Sequence, residues 1–159
     1  MKNRLFIFLF LLILVFPSFV PAQNNSIDNL LFSMTVKDLN ELGKEELNSL
    51  AESGDWLLLD GSIAGMTLYS GKDEEYLLDV LLMQGEWMGL EEVRKYDCHL
   101  IFQGEKWREI IPDKTPRKPA PGQILLNARV LVLAQVLGYE EGEEGLVCYL
   151  MVDQIRELP

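Results

Sequence analysis

WLLLDGSIAGMTLYSG, residues 56–71, decides how the rest of the chain is read. It is rich in apolar residues, carries three glycines and has no helical period. Glycine inside a strand permits a bulge or a sharp bend. Gly61 and Gly65 fall within the run, so the spacing predicts one long, strongly bent strand, with SGKDEE (70–75) as its turn.

Downstream the texture stays β. YLLDVLLMQGEWMG (76–89) reads as a second strand and LEEVRKYD (90–97) as a charged connector. CHLIFQGEKWREII (98–111) reads as a third strand, with Gly104 at a turn or bend. PDKTPRKPAPGQ (112–123) holds four prolines, which excludes regular helix and central strand. RVLVLAQVLGY (129–139) and GLVCYLMVDQI (145–155) read as the fourth and fifth strands. Upstream, residues 23–30 are polar. From Thr35 to Ser53 the pattern is helical, with Leu39, Leu42, Leu47 and Leu50 on one side. Thr35 is the expected N-cap, with Asp38 three residues on as an imperfect capping box. Gly43 divides the segment into two short helices or one kinked helix, and Gly54 closes it.

Five strands, the first long and glycine-bent, with a break between the third and fourth, resemble the OB-fold, the partly open five-stranded Greek-key barrel. The resemblance spans about residues 55–156, and LLLDGSIAGM is similar to the first strand of many such barrels. Small exported bacterial proteins of this kind are the nearest group. The chain departs from the pattern in two ways. The proline-rich stretch stands where many of these barrels carry a helix, and the helix here precedes the first strand. The expected class is mainly β: an OB-like Greek-key barrel over 55–159, preceded by a helical segment over 23–54. A small antiparallel sandwich, or an α+β sheet with the helix on one face, is the alternative.

Residues 1–22 read as a segment outside the fold. MKNR carries two positive charges, LFIFLFLLILVF (5–16) is an unbroken apolar run, and Pro17, Ser18 and Pro21 interrupt it. With Val20 and Ala22 ahead of Gln23, this is the pattern of a secretory signal cut between Ala22 and Gln23. A run of 12 apolar residues is short for a bilayer core, which takes about 20 helical residues to cross. No membrane span is expected after the cut. Removal leaves 137 residues and takes two of the 14 Lys and Arg but none of the 25 acidic residues, for a net charge of −13. So negative a surface repels polyphosphate and anionic lipid.

An exported chain with an even number of cysteines is a disulfide candidate. The OB resemblance makes the third and fifth strands neighbours. By strand alternation Cys98 shares a face with Leu100 and Phe102, and Cys148 with Leu150 and Val152. Both faces are apolar and expected to point inward, so a Cys98–Cys148 bridge follows as an expectation of the resemblance.

The chemistry of catalysis is sparse. His99 is the one histidine. DGSIAG (60–65) is not a Gly-x-Ser-x-Gly elbow, no Cys-x-x-Cys pattern occurs, and no glycine-rich phosphate cradle stands between a strand and a helix. His99 follows Cys98, so alternation sends them to opposite faces and reads His99 as an exposed strand residue. Asp60, Asp79 and Asp153 interrupt apolar runs and are expected outward, on the wet face. Neither a catalytic constellation nor a cofactor or metal site is expected.

Binding surfaces remain. On OB barrels the ligand face is formed by strands two and three, flanked by the loops after strands one and four. The resemblance makes those loops GKDEEY and GYEEGEEG here, both acidic, with Glu140, Glu141, Glu143 and Glu144 in the second. Trp87 and Trp107 are expected on the two strands, among interleaved acids rather than a basic frame. Lys114, Arg117 and Lys118 form a local basic tongue on the proline-rich loop. The expected function is an exported, non-enzymatic binding module whose partner is a protein or another envelope component. The alternatives are a single-stranded nucleic-acid-binding module and a small carboxylate-based carbohydrate-acting enzyme.

Overall fold

The computed structural model describes residues 30–69, 75–112, 114, 116–142 and 145–159. The expected signal segment, with Ala22 and Gln23, lies outside these, as do Glu143 and Glu144. The chain is mainly β, with two short helices near its N-terminus. The elements are β1 (Leu30–Leu31), α1 (Val36–Glu41), α2 (Lys44–Ser53), β2 (Trp56–Leu68), β3 (Leu77–Met88), β4 (Glu92–Gln103), a 3-10 turn (Glu105–Trp107), β5 (Arg129–Gly142) and β6 (Gly145–Glu157).

The strands form one six-stranded mixed sheet in the order β1-β2-β3-β4-β6-β5. An additional β2–β5 pairing closes β2, β3, β4, β6 and β5 into a ring of five strands. All ring pairs are antiparallel except β4–β6, which is parallel. β2 makes the closure possible. Its first half, Trp56–Ser62, pairs with β5, and its second half, from Ser62 to Leu68, pairs with β3. A register shift between Ile63 and Gly65 marks the change of partner. Such a bulge bends a strand and raises its twist.

Gly61 is required at that bend. A Cβ there would lie 2.9 Å from Leu82 Cγ and 3.0 Å from the Met83 carbonyl oxygen. The backbone atom cannot rotate away, so a methyl group must displace a strand. Gly61→Ala is expected to lower unfolding free energy by about 1–3 kcal/mol, the usual cost of overpacking, read from urea denaturation.

The ring interior is apolar by alternation. Leu57, Leu59, Ile63, Leu78, Val80, Leu82, Cys98, Leu100, Phe102, Val130, Val132 and Leu150 are fully buried. Val36, Leu39 and Leu47 of the two helices join the same core. Thr35 caps α1: its hydroxyl accepts from the Asp38 N–H at 3.2 Å, and the Asp38 carboxylate accepts from the Thr35 N–H at 2.8 Å. The capping box is therefore complete with aspartate in the third position. These bonds hold the Asp38 carboxyl below the usual carboxylate range, Thr35 being the main cause. A depressed carboxylate stabilises the fold above its unfolded pKa and loses that effect as pH falls through the folded value. Thr35→Ala is expected to cost about 1 kcal/mol at neutral pH. The gap to the parent should narrow below about pH 4, in melts recorded across that range.

Four boundaries differ from the sequence reading. Leu30, at the end of the stretch read as polar (23–30), and Leu31 pair in parallel with Trp56–Leu57. The 90–97 connector is mostly strand: β4 starts at Glu92, and its first four residues, exposed on both faces, are held by pairing with β3. The third strand stops at Gln103, where Gly104 adopts φ 102° and starts the 3-10 turn. The fourth and fifth strands run on into GYEEGEEG, where Gly142 pairs with Gly145. Glu140 and Glu141 are thus strand residues. No helix among the described residues is long and apolar enough to cross a membrane.

Candidate functional site

β3 and β4 pair over their whole lengths, with Asp79 opposite Ile101 and Trp87 opposite Val93. Even-numbered residues Val80, Leu82, Cys98 and Leu100 fill the core. The odd-numbered set therefore forms an outer face. That face continues onto β6, where His99 pairs with Tyr149 and Ile101 with Met151. It has two parts of different chemistry.

The middle is a polar group set among partly covered apolar residues. His99 Nδ1 lies 2.8 and 2.9 Å from the two Asp79 carboxylate oxygens. Asp79 is only 7% exposed, the one buried charged residue among those described. Nδ1 faces the carboxylate, so the ring is turned with Nε2 away from the aspartate. The Tyr149 ring lies 4.9 Å from the imidazole, centre to centre. Its hydroxyl donates to Glu140 Oε2 at 3.2 Å. Burial, then the Glu140 charge, pushes the Tyr149 phenol above its ordinary range. An Asp–His pair can orient a base, but acyl transfer also needs a nucleophile within hydrogen-bond reach. No serine, threonine or cysteine bonds to this imidazole among the described residues. The contact ties β3 to β4 across the outer face and leaves the His99 side chain 27% exposed.

The end of the face is apolar and bare. At the β3–β4 hairpin, Leu90 is 97% exposed and Trp87 70%, with Met88 and Val93 also exposed. Trp87 also borders a cleft of about 390 Å³ with Thr35, Lys37, Gln84, Glu86 and Tyr96. There Lys37 Nζ donates to Glu86 at 2.8 Å and the Tyr96 hydroxyl donates to the same carboxylate at 3.1 Å. Lys37, first through this hydrogen bond, holds the Glu86 carboxyl below its usual range.

The residues singled out in the sequence separate. Trp87 stands on β3, the strand read for it in the sequence. Trp107 does not share the face: it is 3% exposed, in the 3-10 turn, edge-on to Phe102 at 5.0 Å. β4 ends before it, so strand alternation no longer governs where it points. Glu140 engages Tyr149, whereas Glu141 pairs with Lys44 of α2. The two glutamates therefore serve different sides of the hairpin. His99 and Asp79 point outward but cover one another. Asp60 pairs with Arg129 at 3.0 Å, and Asp153 is exposed. Cys98 and Cys148 are both buried. They stand one residue before the His99–Tyr149 pair on parallel strands. Burial, then the neighbouring Cys148, pushes the Cys98 thiol well up, and burial pushes Cys148 up to about 11.

Sequence reasoning missed Leu90 and Val93, assigned to a connector, and the Asp79–His99 contact. The signal was Gly89. A turn centred there fixes the antiparallel register and sets His99 diagonal to Asp79 on the outer face.

No protein-family model and no curated protein matches the chain.

Proposed function

We propose that the chain is an exported, non-enzymatic binding module of the OB type. It contacts a protein of the cell envelope through the outer face and hairpin of β3–β4. The OB reading is supported by the order and sense of the ring, in which the long bulged strand comes first and the third and fifth strands run parallel. Export rests on the character of residues 1–22.

The observation that carries the function is the exposed cross-strand pair Trp87–Val93, with Leu90 exposed at the hairpin tip, on a molecule of strong negative charge. Contiguous exposed apolar side chains mark contact surfaces. Phosphate-rich ligands call for a basic frame, and Arg94 and Lys95 are offset here by Glu91 and Glu92.

The test is affinity capture. Residues 23–159 are immobilised and exposed to an envelope extract of the source organism. A protein that stays bound as salt rises, and that single-stranded oligonucleotide does not displace, supports the reading. Retention of nucleic acid alone, collapsing with salt, contradicts it. A column carrying Glu140, Glu141, Glu143 and Glu144 as glutamine measures the share of the acidic hairpin.

The Cys98–Cys148 bridge belongs to the same reading, since an exported chain folds under oxidising conditions. Intact protein is expected to be lighter by the two thiol hydrogens until reductant is added, as read by mass spectrometry. Two thiols alkylated only after unfolding would replace the bridge with a buried thiol pair.

A further inference from the structure

β4 pairs with β3 from Leu77–Gln103 to Met88–Glu92, but with β6 only across His99–Ile101. Beyond His99, toward the start of β4, the two strands separate. On the side facing away from β3, the first backbone groups of β4 with no strand partner among the described residues are those of Asp97, and a side chain takes that place. The Asp97 N–H donates to Asn40 Oδ1 at 2.9 Å, and its carbonyl accepts from Asn40 Nδ2 at 2.7 Å. A primary amide presents the same donor and acceptor as a peptide group, so Asn40 stands in for one residue of a strand.

This contact fixes the phase of the edge. In an antiparallel ladder the peptide groups of alternate residues point to opposite neighbours. The N–H and C=O of Asp97 point away from β3, and so do those of Lys95 and Val93. The parallel pairing of His99 with Tyr149 sets the same phase on β6, which turns the Leu146 peptide toward the gap. A cleft of about 510 Å³ lies between Asn40, Lys95 and Asp97 on one side and Gly145, Leu146 and Val147 on the other.

We infer that this seam is a strand-addition site, at which an extended segment of a partner polypeptide pairs with the Val93–Lys95 edge of β4. The inference rests on the reading that the partner is a protein, and it names the recognition mode. Backbone donors and acceptors repeating at strand spacing match another backbone, and such pairing supplies affinity while side chains supply specificity. An exposed lysine on an edge suppresses indiscriminate pairing, the role Lys95 would serve in the free molecule. The chain carries 25 acidic against 14 basic residues, and Glu140 and Glu141 lie on the adjoining hairpin, so the segment it selects is basic. Val93 stands on this edge with its side chain on the outer face, backed by Trp87 across the β3–β4 pair, where alternate apolar side chains of the segment would rest.

The test uses the unaltered protein and a capped synthetic peptide of alternating valine and lysine. Amide exchange is followed by NMR. The Lys95 amide is expected to slow by about tenfold or more at saturating peptide, while that of Asp97, already bonded to Asn40, stays as it was. Lys95→Pro removes the N–H that faces the seam and no bond to β3. It is expected to weaken peptide binding about tenfold, whereas Lys95→Ala does not weaken it. Unchanged exchange at Lys95 in millimolar peptide overturns the proposal, and so does equal binding by the folded proline and alanine variants. If the proline variant does not fold, the exchange measurement alone decides. A captured envelope protein lost from a Trp87→Ser column but held by Lys95→Pro removes the seam and keeps the face. Slowed exchange at Lys95 with no protein captured by the parent removes the envelope-protein reading and keeps the seam.

Discussion

Phe102→Ala is expected to lower the free energy of unfolding by about 3–5 kcal/mol, the range for deleting a buried aromatic ring. Phe102 is fully buried at the end of β4, and its ring receives the edge of Trp107 at 5.0 Å and 81°. That contact fastens the 3-10 turn and the start of the proline-rich stretch to the ring of strands. Tyr76 reinforces the junction, its hydroxyl donating to the Ile111 carbonyl at 2.5 Å. Removing Phe102 therefore costs its own burial and loosens Trp107. A domain of this size has about 5–15 kcal/mol in all, so the variant should lie close to its unfolding midpoint in mild urea. An unchanged midpoint would mean that Phe102 does not occupy the core.

Trp87→Ser combined with Leu90→Ser is expected to act in the opposite manner, with little effect on folding and a large effect on binding. Both side chains are exposed, so their loss should change stability by no more than about 0.5 kcal/mol. Exposed tryptophans at the centre of a contact are among the residues whose truncation costs about 2 kcal/mol or more, over tenfold in affinity. Retention of the captured envelope protein should fall by at least that factor, with an unchanged melting curve. Equal retention would remove the hairpin from the contact.

Much of this architecture was legible because local signals agreed. The capping box at Thr35 and Asp38, the break at Gly43 and the glycine-bent run over 56–68 each carry a short-range cause, and each is present. Inward alternation of Leu100, Phe102, Leu150 and Val152 was legible for the same reason. What the sequence hid depends on partners far along the chain. β4 could begin at Glu92 because β3 pairs with it, although its first residues are charged and exposed. Trp107 left the outer face because Gly104 ends the strand before it. The pairing of Asp79 with His99 required a register, and that of Asn40 with Asp97 required the helix to be placed against the ring. Composition carries neither.

The central claim is that the outer face of β3–β4 is where a protein partner sits. The most direct measurement is hydrogen–deuterium exchange of the chain with and without the protein it captures. Slowed exchange is expected to centre on residues 79–103, strongest at the hairpin around Leu90. Slowed exchange over the basic stretch 112–123, with the β3–β4 hairpin unchanged, would contradict it.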